Sequence, residues 1–152
     1  MVNDVKNTIQ FRGMYAPNLI NVCVNANEYG EISGEMYHCY NKEALHFANV
    51  IELLREADNF FDKIAFPQAS NQMRSFQEKE KNTVYQVIRP DRLVEQKDVA
   101  EHRGLKGTML LNVRFRQNAT WQGEVYWLEK GMVQTFENTL EFIRLIDMMF
   151  MN

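Results

Sequence analysis

Residues 34–61, GEMYHCYNKEALHFANVIELLREADNFF, align with residues 123–150, GEVYWLEKGMVQTFENTLEFIRLIDMMF, at a constant offset of 89 and without a gap. Nine aligned positions are identical: Gly34/Gly123, Glu35/Glu124, Tyr37/Tyr126, Phe47/Phe136, Asn49/Asn138, Glu52/Glu141, Arg55/Arg144, Asp58/Asp147 and Phe61/Phe150. Unrelated segments of ordinary composition share about one or two over such a span. A second block matches upstream at an offset of 91, where RGMYAPNLINV (12–22) lies over RGLKGTMLLNV (103–113). The change of offset predicts two extra residues in the first copy, in the turn NANEYGE (25–31). A unit of about fifty residues buries too little apolar surface to stand alone, so two copies have to cover each other.

Both copies, 12–62 and 103–151, carry the same internal plan. Alternation of Leu111, Val113 and Phe115 with Asn112, Arg114 and Arg116 predicts a first strand near 109–116, matched by 19–25. Second strands are expected at 32–39 and 120–128, and third strands at 44–47 and 132–136. Gly131 suits a tight turn that needs positive φ. A helix follows in each copy, with Asn49 and Asn138 as N-caps and Glu52 and Glu141 three residues on, the spacing of a capping box. Val50, Leu53, Leu54, Ala57, Phe60, Phe61 and Ile64 form an apolar stripe on the first helix. The second helix leaves little polar face and is expected to be sandwiched or to meet another subunit. The expected fold is α+β: an internally duplicated strand-strand-strand-helix unit, an antiparallel sheet with two main helices and a pseudo-two-fold axis. The single domain 1–152 then consists of the two repeats joined by a partly ordered segment, 63–102. There, TVYQVI (83–88) reads as a short edge strand and RLVEQKDVAEH as one or two helical turns.

The formal net charge of −3 argues against broad charge-driven binding to nucleic acid or membrane. No apolar run is long enough to span a bilayer. The polar start MVNDVKNTIQ has no leader-like core, and the two cysteines, Cys23 and Cys39, fit no metal spacing, so a cytoplasmic protein with reduced thiols is expected. No nucleophile elbow, phosphate-binding glycine loop or HExxH motif is present. No enzyme activity and no cofactor are therefore expected. His38 and His46 face each other across two strands but lack a third ligand, so no metal is expected. Glu52, Arg55 and Asp58, repeated as Glu141, Arg144 and Asp147, read as a surface ion-pair ladder plus a cap.

Candidate binding residues lie in RFRQNATWQGEVYW (114–127). By strand parity, Trp121 and Trp127 belong with the core, while Arg114, Arg116, Glu124 and Tyr126 share the outer face. A β-bulge would shift this parity. Glu35 and Tyr37 are the counterparts of Glu124 and Tyr126 in the first copy. These six residues are the candidate partner-binding set. The first copy has no equivalent of the arginines and holds three Lys/Arg against eight Asp/Glu, whereas the second holds six against five.

The run VRFRQNATWQGEVYWLEKGMVQTFENTLEFIRLID resembles the ethylene-response-factor type of DNA-binding domain and the arm-type domains of phage integrases. Arg114, Arg116, Trp121, Phe136, Asn138 and Glu141 stand at comparable places. That resemblance implies strand arginines and tryptophans on DNA. FPQAS, RQNATWQG and the final helix together also look similar to an uncharacterised family of small bacterial proteins. The expected function is a non-enzymatic interaction or regulatory protein, binding a protein partner or a second copy through the outer sheet face or the Met-rich C-terminal helix. The alternatives are DNA binding through Arg114, Arg116, Arg74, Arg89 and Arg92, and a small ligand held between the repeats.

Overall fold

A computed structural model describes residues 11–70 and 91–150. Six antiparallel strands form one sheet in the order β3-β2-β1-β5-β6-β7. The strands are β1 (Ile20–Glu28), β2 (Glu31–Tyr37), β3 (Leu45–Phe47), β5 (Gly107–Gln117), β6 (Thr120–Trp127) and β7 (Met132–Phe136). A two-residue strand, β4 (Ala69–Ser70), runs parallel to the end of β5. Helix α1 is Val50–Ile64, α2 is Gln96–Ala100 and α3 is Thr139–Phe150. The α+β class is as expected from sequence, and so are the third strands and the short helix within RLVEQKDVAEH. The expected strand at 83–88 lies outside the described residues.

The strand order reads the same from either edge, and β1 pairs with β5 antiparallel at its centre, with Asn21 opposite Leu110. Each first strand turns into its second through a two-residue loop with both residues at positive φ. These are Tyr29 (57°) and Gly30 (76°) in one hairpin, Asn118 (56°) and Ala119 (60°) in the other. Such turns match the right-handed twist of the strands they join. Each first strand carries a register shift, between Val24 and Ala26 in β1 and between Val113 and Phe115 in β5. Hairpin ends, bulges and cross-strand pairs all correspond at an offset of 89, so the turn 25–31 holds no two-residue insertion. The 91-offset identities of Asn21 with Asn112 and Val22 with Val113 therefore do not mark equivalent strand positions.

Both helix starts carry the expected Asn caps, but each Glu reaches one residue further back than in a capping box, to the N–H before the cap. Asn49 Oδ1 accepts the Glu52 N–H at 2.8 Å, and the Glu52 carboxylate accepts the Ala48 N–H at 2.8 Å. Asn138 and Glu141 repeat the arrangement at 2.8 and 2.7 Å. A cap of this type stabilises a helix by about 1 kcal/mol. Helix α1 ends in a left-handed residue, Ala65 (φ 53°), whose N–H reaches the Asp62 carbonyl while the Phe66 N–H reaches that of Phe61. Pro67 then bars continuation.

The main core lies between the sheet and the helices α1 and α3. Ile20, Val22, Val24, Ile32, Met36, Met109, Leu111, Val113, Trp121 and Val125 meet Leu53, Phe61, Phe142 and Ile146 there. Burying each such side chain contributes about 1.5–3 kcal/mol. Trp121 is in this core, as its parity requires, and Trp127 packs partly buried against it. The sheet's other face is not open. The chain from Phe11 to Leu19 and the segment around α2 cover it with a second cluster of Phe11, Leu19, Cys39, Val99, Leu110 and Tyr126. Asn21 Nδ2 donates to the carbonyls of Val99 and His102 at 2.7 and 3.0 Å, which ties this layer to the central strand.

The repeated glycines answer to the bulges. A Cβ on Gly34 would lie 1.9 Å from the Cys23 carbonyl oxygen, and one on Gly123 would lie 2.1 Å from that of Asn112. Backbone, not a movable side chain, fills both places. Gly34→Ala and Gly123→Ala are each expected to destabilise the fold by about 2–3 kcal/mol or more in urea titrations. Gly30→Asn at the open hairpin tip is expected to cost only a few tenths.

Candidate functional site

The bulge at Arg114 decides where the second-copy arginines point. Strand β5 alternates normally as far as Val113, and after the shift Phe115 faces solvent at 51% exposure while Arg116 turns inward at 5%. The expected outer-face position of Arg116 is thus corrected. Its Nη1 donates to Asp58 Oδ1 at 3.0 Å and to Asp62 Oδ1 at 2.8 Å, both on α1. Its Nε donates to the Pro67 carbonyl at 2.7 Å, and its guanidinium lies 5.5 Å from the centre of the Phe61 ring. Asp58 also accepts from Trp121 Nε1 at 3.2 Å. The expected Arg55–Asp58 pair is absent among the described residues, because Asp58 is drawn across to the sheet.

These groups line a cleft of about 550 Å3 between α1, the tip of the β5–β6 hairpin and the start of α3. Leu54, Arg55 and Ala119 complete its walls with Thr120 and Thr139. The two threonine hydroxyls lie 3.0 Å apart, and each also accepts a backbone N–H, from Trp121 at Thr139 and from Thr139 at Thr120. Arg116, Trp121 and the two threonines find partners within the cleft, while Asp58 remains half-exposed and Asp62 exposed. Two carboxylates share the buried Arg116 guanidinium, and Arg55 in the wall brings the lining to formal neutrality. The arrangement holds the hairpin to α1.

Of the other candidate residues, Glu124 and Tyr126 are sealed and Glu35 and Tyr37 are partly buried. Glu124 is 4% exposed and accepts the Arg12 N–H at 2.9 Å. Tyr126 is 6% exposed and stacks on Phe11 with ring centres 5.8 Å apart. In the first copy the Tyr37 hydroxyl donates to Glu35 at 2.9 Å, and its ring lies flat on His102 at 3.6 Å. Burial, then the hydrogen bond to Glu35 and that carboxylate's charge, push the Tyr37 phenol up to about 12. Glu35 also approaches His46 Nδ1 at 3.5 Å. His46 is exposed, and His38 lies on the opposite face against α1. Among the described residues no three His, Cys, Asp or Glu converge as metal ligands. Of the six candidates only Arg114 is fully exposed. Arg92 is exposed, and Arg74 and Arg89 lie outside the described residues.

His38 and the cysteines are perturbed by burial. The His38 ring is stacked on Phe60 at 3.7 Å, and its Nδ1 accepts the Tyr40 N–H at 3.1 Å. Burial, helped by the charge of Lys63, lowers its pKa to about 4. Burial and the nearby Glu35 push the Cys23 thiol up to about 12, and burial raises Cys39 as well. Neither thiol is an activated nucleophile at neutral pH.

Sequence reasoning missed Asp62, Thr120 and Thr139 as members of the cleft and gave Asp58 another partner. A signal was present: a glycine repeated in the middle of a strand marks a bulge or a close backbone approach. Read so, Gly123 predicts the bulge opposite it and the inward turn of Arg116. The chain matches no protein-family model, no curated protein and no solved structure. No helix among the described residues is long and apolar enough to cross a membrane.

Arg116→Ala removes a buried side chain that bonds Asp58, Asp62 and the Pro67 carbonyl. It is expected to cost about 2–3 kcal/mol in chemical denaturation, against under about 0.5 kcal/mol for Arg114→Ala. His38 gives a pH signature. Its folded pKa of about 4 lies below the ordinary 6.5, so the unfolded chain binds the extra proton first. Its contribution is present in full above pH 6.5 and is lost as pH falls towards 4, a change of about 3 kcal/mol. Denaturation of wild type and His38→Gln across that window should show a steeper slope for wild type.

Proposed function

We propose that the chain is a duplicated strand-strand-strand-helix protein with a pseudo-two-fold axis between β1 and β5, and that it acts as a non-enzymatic interaction protein. Common registers at an offset of 89 support the duplication. So does a reciprocal contact: Arg116 of β5 lies against Phe61 of α1, and Asn27 of β1 donates to the carbonyl of Phe150 in α3. These four residues form two pairs related by the same offset of 89.

The partner is a protein, and it docks on β7 and α3. One observation carries this reading: β7 is an edge strand of five residues with no charge, MVQTF, beside apolar side chains left in solvent. Met132 is 39% exposed and Leu140, at the start of α3, 57%. Natural sheets guard such edges with lysines, prolines or short strands, and an unguarded edge is a template for strand addition. The outer face offers less, because Glu124 and Tyr126 are spent on the covering layer. The nucleic-acid alternative loses Arg116 to Asp58 and Asp62. The ligand alternative meets a cleft in which Arg116, Trp121, Thr120 and Thr139 are already hydrogen-bonded.

A photo-crosslinking amino acid at Leu140 of the full chain tests the reading in extract of the native cell. Crosslinks to protein are expected at Leu140, weakened by Met132→Asp and absent from the same probe at the exposed hairpin residue Tyr29. Equal labelling at both positions, or none at Leu140, overturns it.

A further inference from the structure

Resting on that docking surface, we propose that its occupant is a second copy of this chain, joined by antiparallel pairing of β7 with β7 about a two-fold axis through Gln134.

The two ends of the sheet are not alike. Strand β3 is three residues long, is preceded by exposed Lys42 and Glu43, and carries His46 against Glu35. Shortness protects that edge; flanking charges do not set the two ends apart, since exposed Glu129 and Lys130 precede β7 and exposed Glu137 follows it. Strand β7 has five residues, all five paired to β6 and, among the described residues, no strand on its other side. Half of its backbone N–H and C=O groups point away from β6, as alternation in an antiparallel ladder requires. A partner strand satisfies them.

The sequence of β7 is compatible with itself in this register. Pairing about Gln134 sets Met132 against Phe136 of the second copy, Val133 against Thr135, and Gln134 against Gln134. No like charges meet, and β-branched and apolar residues face one another, the pairs that stabilise ladders. An odd-length strand has a central residue on which a two-fold axis can lie, and an isologous contact of this kind closes at two copies. Helix α3 packs on β6 and β7, so the axis brings both α3 helices to one side of the joined sheet. The chain already makes the same junction internally, where β1 and β5 pair antiparallel with α1 and α3 on a common face.

The test is sedimentation equilibrium of the full chain, wild type and two variants, Gln134→Lys and Gln134→Glu. Gln134 is half-exposed at the edge, and unchanged thermal melts show that the variants fold. Wild type is expected to show a concentration-dependent monomer–dimer equilibrium. Each variant alone places like charges opposite one another across the axis and weakens the dimer about fivefold or more. An equimolar mixture pairs lysine with glutamate and restores it. A wild-type chain that stays monomeric overturns the proposal, as does a dimer indifferent to both variants or a mixture that shows no recovery. If the chain is monomeric yet Leu140 still crosslinks to another protein, self-pairing fails and the docking surface stands. If neither is seen, both fail.

Discussion

Everything in this fold hangs on the antiparallel pairing of β1 with β5. Neither three-stranded half buries much alone, but joined at their first strands they make one six-stranded sheet with a continuous apolar face. Residues 20–24 of β1 and 107–113 of β5 are all buried, because the junction is covered by layers on both sides. That double burial accounts for Asn21, Thr108 and Asn112, polar residues in the centre of the sheet. Asn21 uses its amide to hold the covering layer, and Thr108 Oγ1 accepts the Gly104 N–H at 2.9 Å. Buried polar groups with partners of this kind cost little and fix a unique arrangement.

A second constraint is the bulge in each first strand. The extra residue presses backbone against the neighbouring strand and leaves room only for glycine there. It also reverses the facing of all that follows along the strand. In β5 this sends Phe115 out and Arg116 in, where Asp58, Asp62 and Pro67 receive it. The same local irregularity therefore explains a repeated glycine, an exposed phenylalanine and a buried arginine. The polar cluster that results looks like a site by composition, yet its groups are turned on one another. Its chemistry is that of a clasp between hairpin tip and helix.

Interaction capacity is what remains once the sealed surfaces are set aside. Much of the outer face is covered by a second core, Arg116 and the threonines of the cleft are bonded within it, and the thiols and His38 are held uncharged by burial. The five-residue edge at β7 stands out against the three-residue edge at β3. If the two halves descend from one unit, their edges have diverged. The sequence difference between LHF and MVQTF at those edges is then where the two units differ most in edge length.

Much of this was legible in the residues. The repeat at an offset of 89, the Asn-x-x-Glu caps and the helical stripes are local patterns, and local patterns survive folding because backbone hydrogen bonds and side-chain periodicity act over a few residues. They determined the strand-strand-strand-helix order, the helix starts and the core position of Trp121. The tertiary structure alone decided that Asp58 leaves Arg55 for Arg116, that a segment far away in sequence closes over Glu124 and Tyr126, and that β7 has, among the described residues, no strand on its outer side. The physical reason is that parity holds along a strand only until one residue is inserted. Whether a face is solvent or core depends on which distant chain comes to lie on it, and no periodicity within the strand encodes that.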